Sequence, residues 1–232
     1  MEGPDSIYES GAYLEQNPGW HEEDAPWKTR QILKSLHKQH LVPRTICDVG
    51  CGSGETIREL SRVYPDARCV GFEVSPDAFA IAAPKATDTL TFTRDDPFTQ
   101  GQRFELACAL DVFEHVDDYL GFLRRMSALA EWKVYHNPLD ISVQTVIRAK
   151  PLRDIRKSIG HIHFFTKDQA LATLEDTGHE VIDWFYTAGS IEAPSRSRRG
   201  RLLALPRKVL FRAFPDFTVR LLGGYSMLAL CR

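Results

Sequence analysis

Thr45–Glu55 reads TICDVGCGSGE and constrains the chain more than any other stretch. An apolar, β-branched run, Ile46 to Val49, stops at Gly50. Glycines stand at 50, 52 and 54, with the small residues Cys51 and Ser53 between them. A helix is predicted to follow over Glu55–Val63. This is strand, tight turn, helix. Glycine lets a backbone turn through positive φ and approach a ligand closely. The helix N-terminus that follows offers free N–H groups and partial positive charge.

A dinucleotide-binding turn requires G-x-G-x-x-G with a pyrophosphate on the helix N-terminus. Here the glycines are evenly spaced, and no Gly-Lys-Ser/Thr follows, which excludes a P-loop. Asp48 sits at the strand end and Glu55 opens the helix. Two carboxylates would repel a pyrophosphate and suit a ligand that carries an ammonium group and hydroxyls.

DVGCGSGE resembles the first motif of the class I S-adenosylmethionine (SAM) methyltransferases. The resemblance continues in order through GFEVSP (Gly71–Pro76), TRDDPF (Thr93–Phe98) and ALDVFEHVDD (Ala109–Asp118). It is strong over about residues 44–126 and looser over 132–187. It implies an α/β, Rossmann-like three-layer sandwich. The sheet would be seven-stranded and mostly parallel, with an antiparallel last strand and order 3-2-1-4-5-7-6. It also implies SAM as cofactor and a small-molecule acceptor. Asp48, Gly50, Cys51, Gly52 and Gly54 would cradle the cofactor's amino-acid end. Glu73, 25 residues after Asp48, would hold the ribose hydroxyls, with Val74 beside it. Asp95, or its neighbour Asp96, would take the adenine amino group. Asp111 and Val112 would border the methionine portion. Phe98 could contact the adenine or join the core.

The remaining strands are expected at 68–73, 90–94, 103–110, 132–136, 180–187 and 225–231, and further helices at 26–40, 76–83, 119–130 and 166–177. The stripe Leu120, Leu123, Met126, Leu129 packs one helix on the sheet. Thr166 with Gln169 forms a capping box. The family's glycine turn after the fourth helix is replaced by Glu131-Trp132. Asn137-Pro138 follows the fifth strand, not the fourth as in amino-group methyltransferases of DNA or glutamine, so it carries no weight for those substrates.

One domain, 1–232, is expected, with three elaborations. Residues 1–43 form an N-terminal helical cover, in which Tyr8, Tyr13, Trp20 and His21 could line a lid. Residues 139–165 form an insertion after strand five, and 188–224 a basic helical insertion between strands six and seven. GHIHFF (160–165) falls just before a helix, at the sheet edge where open α/β proteins bind ligands. His115, His161 and His163 are the candidate catalytic bases, with His136 also near that edge; each has a structural reading too. The H-x-H spacing could seat a metal, but no third ligand has suitable spacing, and no metal is expected.

Formal net charge is -2, which gives no bulk electrostatic case for nucleic acid. The distribution is uneven: residues 139–232 carry 15 Lys/Arg against 9 Asp/Glu. Arg196, Arg198, Arg199, Arg201, Arg207, Lys208 and Arg212 form a run without an intervening acid. They suit a helical flap packed on the domain or in a homodimer, or an arm for an anionic surface, including peripheral contact with a membrane. DNA is excluded and RNA is not favoured. No apolar run is long enough to cross a bilayer. The polar, acidic start is not a signal peptide, and five cysteines without zinc spacing suit a reduced, cytoplasmic protein. Two other readings stand beside the enzyme: a SAM-binding interaction module without activity, and an RNA methyltransferase using the 196–212 arm.

Overall fold

The computed structural model describes residues 19–20, 22–99, 101–189 and 198–232, and the side chains of 198–204 are not described. Tyr8, Tyr13, His21 and Arg196 therefore lie outside the described residues, as do the side chains of Arg198, Arg199 and Arg201.

Seven strands form one sheet in the order β3-β2-β1-β4-β5-β7-β6. They are β1 (Thr45–Val49), β2 (Arg68–Phe72), β3 (Leu90–Thr93), β4 (Phe104–Leu110), β5 (Ala130–Leu139), β6 (Val181–Thr187) and β7 (Tyr225–Cys231). β1 to β5 pair in parallel, and β7 runs antiparallel to both β5 and β6. The expected order and the antiparallel last strand are both present.

Among the described residues the α-helices are α1 (Ala25–Lys38), α2 (Glu55–Val63), α3 (Pro76–Ala82), α4 (Tyr119–Leu129), α5 (Val143–Arg148), α6 (Lys150–Ser158), α7 (Lys167–Asp176), α8 (Arg198–Ala213) and α9 (Pro215–Leu222). Central strands read as continuous apolar runs because both faces are covered. On one face, Ile32 and Leu36 of α1 and Ile57 and Leu60 of α2 are fully buried against Ile46, Leu106 and Leu228. On the other, Leu123 and Met126 of α4 and Leu174 of α7 pack with Cys47, Ala107 and Tyr135. Each such aliphatic side chain contributes roughly 1.5–3 kcal/mol of burial. The α7 capping box is formed as expected, with Thr166 and Gln169 bonded to each other's backbone N–H.

One element departs from expectation. β5 begins directly at Ala130, with no turn after α4, and continues through Asn137-Pro138 to Leu139. Antiparallel pairing extends it: Asn137, Pro138 and Leu139 face Met227, Ser226 and Tyr225 of β7. Pro138 lacks an N–H, yet the strand tolerates it at the end of its pairing. Within the insertion at 139–165, whose stretch 141–150 has a period compatible with helix or strand, Val143–Arg148 is helical, because Ser142 caps α5 through a reciprocal box with Thr145. All five cysteines are free and buried. Among the described residues no helix is long and apolar enough to cross a membrane.

Candidate active site

The strand order reverses direction between β1 and β4, and open α/β sheets place ligands at that switch point, outside the carboxyl ends. Three groups of side chains meet there.

The first is the glycine turn. Gly50, Gly52 and Gly54 all have positive φ, at +73°, +56° and +76°. A Cβ on Gly50 would stand 2.8 Å from Val112, and one on Gly54 would stand 2.5 Å from Phe92. The turn is thus pressed against the loop after β4 and against β3. The Gly52 N–H donates to Glu73 Oε2 at 2.7 Å, and the Ser75 N–H donates to Glu73 Oε1 at 2.8 Å. Glu73 is buried; burial pushes its carboxyl up, and the backbone donors at Ser75 and Gly52 offset part of that. Asp48 is 2% exposed, and its Oδ1 has no hydrogen-bond partner. Burial pushes its carboxyl up to about 7, with the Lys28 ammonium opposing and Glu73 adding.

Glu55 does not belong to this group. Its carboxylate contacts Arg58 at 3.1 Å and Lys85 at 3.2 Å; although burial opposes this, these cations hold its carboxyl below the usual range. Lys85 also donates to the Ser53 carbonyl at 2.9 Å, so Glu55 braces the turn from behind. Trp20 lies over it: a Cβ on Gly52 would be 3.9 Å from the Trp20 ring. Val74 is 73% exposed, and its carbonyl accepts from Arg94 at 3.2 Å. Cys51 is buried, which pushes its thiol well up. Asp96 accepts from the Phe98 N–H at 2.9 Å and pairs with Arg125 at 3.7 Å. Phe98 packs edge-on against Phe122 beneath the Arg125 guanidinium, which is the core reading of that ring. Asp95 is exposed, and its N–H donates to Thr93 Oγ1 at 3.1 Å.

The second group is centred on Asp111, whose φ is +58°. Its carboxylate bridges Lys28 Nζ at 2.7 Å and His136 Nδ1 at 2.6 Å. Burial opposes its ionisation, but the His136 and Lys28 charges outweigh this and hold it well below the usual carboxylate range. Burial likewise disfavours the Lys28 ammonium, and Asp111 outweighs it, raising the Lys28 pKa. His136 Nε2 lies 2.9 Å from Thr187 Oγ1, and the Trp27 ring meets the imidazole edge-on at 5.8 Å. One chain of contacts therefore ties α1, β4, β5 and β6 together at the carboxyl edge.

The third group is Glu114, His115 and His161. A short 3-10 turn, Phe113–His115, holds the first two. The N–H groups of Ile162 and His163 both donate to the Glu114 carbonyl, at 3.0 and 3.1 Å, so the GHIHFF segment is stitched to this turn. His115 and His161 rings meet edge-on at 4.8 Å. Burial pushes the His115 imidazole down to about 4, and His161 adds to this. His161 Nδ1 lies 2.6 Å from Asp140. His163 is placed differently: its Nε2–H donates to the Val116 carbonyl at 3.0 Å, and its ring lies on Tyr119 at 4.5 Å. A nitrogen that donates to a carbonyl has no lone pair for a proton, so His163 fastens the segment through Nε2. The expectation of no metal site followed from the H-x-H spacing alone. His161 and His163 do not converge; instead one ligand atom each from Glu114, His115 and His161 all lie within 4.8 Å of one another.

Sequence reasoning passed over Lys28, Glu114 as a chemical group, Thr187 and Asp140. Glu114 had a signal, since it stands beside the candidate base His115 in the ALDVFEHVDD motif. The others had none, because their partners lie far away in the chain.

An open sheet of this order, with acids closing β1 and β2 and a glycine turn pressed between, defines a Rossmann-like domain with its glycine turn at the switch point. The chain belongs to a methyltransferase-domain family, whose model matches residues 20–183. Ubiquinone biosynthesis O-methyltransferase of Methylobacterium sp. (strain 4-46) is 31% identical over 99 residues, covering 40% of this chain and 39% of that protein. Ajmaline N-methyltransferase of Rauvolfia serpentina is 31% identical over 97 residues, covering 38% and 33%. The match thus spans well under half the length of these curated relatives. In fold, magnesium protoporphyrin IX methyltransferase of Synechocystis PCC 6803, solved with bound S-adenosylhomocysteine, is similar with a TM-score of 0.58 at 16% identity, over 91% of this chain and 82% of that one.

Proposed function

We propose that the protein transfers a methyl group from SAM to a small-molecule acceptor at the carboxyl edge of the sheet. The observation that carries this is Asp48: a buried carboxylate oxygen without a partner, at the head of a glycine turn whose Gly52 N–H is held by Glu73. Asp48 and the turn would hold the cofactor's amino-acid end, Glu73 its ribose, and Asp95 its adenine. When bound, SAM supplies an activated methyl on a sulfonium, so no covalent enzyme intermediate is needed.

The chain's own contribution is positioning and exclusion of water. Trp20 over the glycine turn and α1, tied to Asp111 through Lys28, cover the site. The turn at 113–115 and the segment at 160–163 wall its other side. His115 is held neutral by burial, as a proton acceptor must be. His161 is oriented by Asp140, which accepts its Nδ1–H and leaves Nε2 as the acceptor. The family relatives that act on small organic molecules support a small-molecule acceptor, as does the enclosure of these histidines.

We read the basic insertion as a packed flap. The Arg207 guanidinium donates to the Gly223 carbonyl and lies over the Tyr225 ring, and Phe211 stacks on that same ring at 4.7 Å. Five unpaired thiols suit a reducing, cytoplasmic setting.

Calorimetric titration with SAM and with S-adenosylhomocysteine tests the reading. One site per chain is expected, with at least a tenfold loss of affinity in Asp48→Asn and Glu73→Gln. Absence of binding at millimolar cofactor by the folded protein would overturn it. Transfer is then assayed with labelled methyl donor against phenolic, amine and carboxylate acceptors.

A further inference from the structure

Glu114 presents a problem that the transfer reaction does not solve. Its side chain is fully enclosed, at 0% exposure, and neither carboxylate oxygen has a hydrogen-bond partner. Enclosing such a group without partners costs several kcal/mol. Its backbone carbonyl accepts from the N–H groups of Ile162 and His163, which fixes the turn that carries this side chain.

Two imidazoles face it. His115 Nε2 is 4.0 Å from Glu114 Oε1, and His115 and His161 meet edge-on at 4.8 Å. One ligand atom from each of the three residues lies within 4.8 Å of the other two. Donors around one tetrahedral ion with bonds of about 2.1 Å stand about 3.4 Å apart, so side-chain rotations of an ångström or so would close the set. Asp140, 2.6 Å from His161 Nδ1, completes the pattern. A carboxylate that accepts the far N–H of an imidazole fixes its tautomer and aims the lone pair of Nε2 inward.

We propose that Glu114, His115 and His161 ligate one first-row divalent cation of the zinc class, with Asp140 as the residue that positions His161. Two nitrogens and one carboxylate form a borderline donor set, suited to zinc, iron or cobalt rather than to calcium or magnesium, which prefer all-oxygen shells. Three protein ligands leave a fourth position open. The ligands Glu114 and His115 follow Asp111 closely in the chain, at the edge where the acceptor is placed. The open position could take an acceptor oxygen and lower its pKa. In that use the ion, and not a lone pair of His115 or His161, activates the acceptor. It rests on the proposed transfer; the cation site does not.

The test uses the full chain after chelator treatment and desalting. Zinc is titrated by calorimetry, and cobalt by the visible bands of a low-symmetry Co(II) centre. One ion per chain is expected, with a rise in melting temperature and no need for SAM. Glu114→Gln keeps the shape of the side chain while removing its charge, and should weaken zinc binding at least tenfold. His161→Gln should do the same and change the cobalt spectrum. Asp140→Asn should keep one ion per chain and weaken it about tenfold to a hundredfold. Circular dichroism establishes that each variant is folded, and binding is compared among the folded ones. No zinc binding by the wild-type chain would overturn the proposal. So would one-to-one binding left unchanged by both Glu114→Gln and His161→Gln. Because these readouts need no methyl transfer, failure here leaves the cofactor reading standing, and failure of SAM binding leaves this site standing.

Discussion

Asp48→Asn should stabilise the cofactor-free protein, and the gain should grow with pH. An aspartate moved from 3.8 to about 7 on folding corresponds to ~4 kcal/mol between its two protonation states. The group is 2% exposed, so solvent does little to screen this. Proton counting sets the sign. Below about pH 4 the carboxyl is protonated in both states, and its stability contribution is fully present. Between about 4 and 7 the unfolded chain has released the proton while the fold retains it, so stability falls as pH rises through that window. Above 7 the loss is complete. Asn carries no such linkage. The advantage of Asp48→Asn over wild type should therefore widen by ~3 kcal/mol from pH 5 to pH 8, or about 1 M in urea midpoint at a typical slope. Urea unfolding at pH 5, 6, 7 and 8, followed by tryptophan fluorescence, reads this directly. Saturating SAM should narrow the gap, because its cation favours the ionised carboxylate that Asn cannot supply. A wild-type-to-variant difference that stays constant with pH would refute the reasoning, since it would mean that Asp48 ionises in the fold as easily as in the unfolded chain.

Gly54→Ala should destabilise the protein by about 2–4 kcal/mol, read as a lower urea midpoint, because the residue has φ +76° and its new Cβ would press within 2.5 Å of Phe92. Tyr135→Phe should cost about 1–2 kcal/mol by removing the buried 2.6 Å hydrogen bond to His179 Nε2, with little change in SAM affinity. Leu60→Ala, which empties a fully buried position under α2, should cost about 2–5 kcal/mol in the same assay. A thiol reagent should find almost no reactive cysteine in the native protein and all five after denaturation, since each is buried.

Much of the site could be read from sequence where function depends on neighbours in the chain. The glycine turn, Asp48 and Glu73 stand where their motifs placed them, because a strand end, a tight turn and a helix start are local events. α2 and β7 were legible for the same reason, with apolar periodicity and turn residues coinciding at their ends. Glu55 shows the limit of such reading. A carboxylate at a helix start looked available to a ligand, but Lys85, 30 positions on, and Arg58 already held it.

What only the tertiary structure decided are pairings without characteristic spacing. β5 ran on to Leu139 because β7, far later in the chain, supplied its hydrogen bonds. Lys28 found Asp111, His136 found Thr187, and Asp140 found His161 across elements that meet at the sheet edge. No periodicity marks such partners, since contact between them follows from how helices and strands pack. The enclosed Glu114 belongs to the same class: its sequence marks it as half of a Glu-His pair, while its burial without a partner, facing two histidines, is a consequence of the fold. The chain's local pattern thus determined the glycine turn and the acids at the strand ends. The packing of its loops decided which side chains stand around them, because their burial and charge are set by neighbours that only folding brings together.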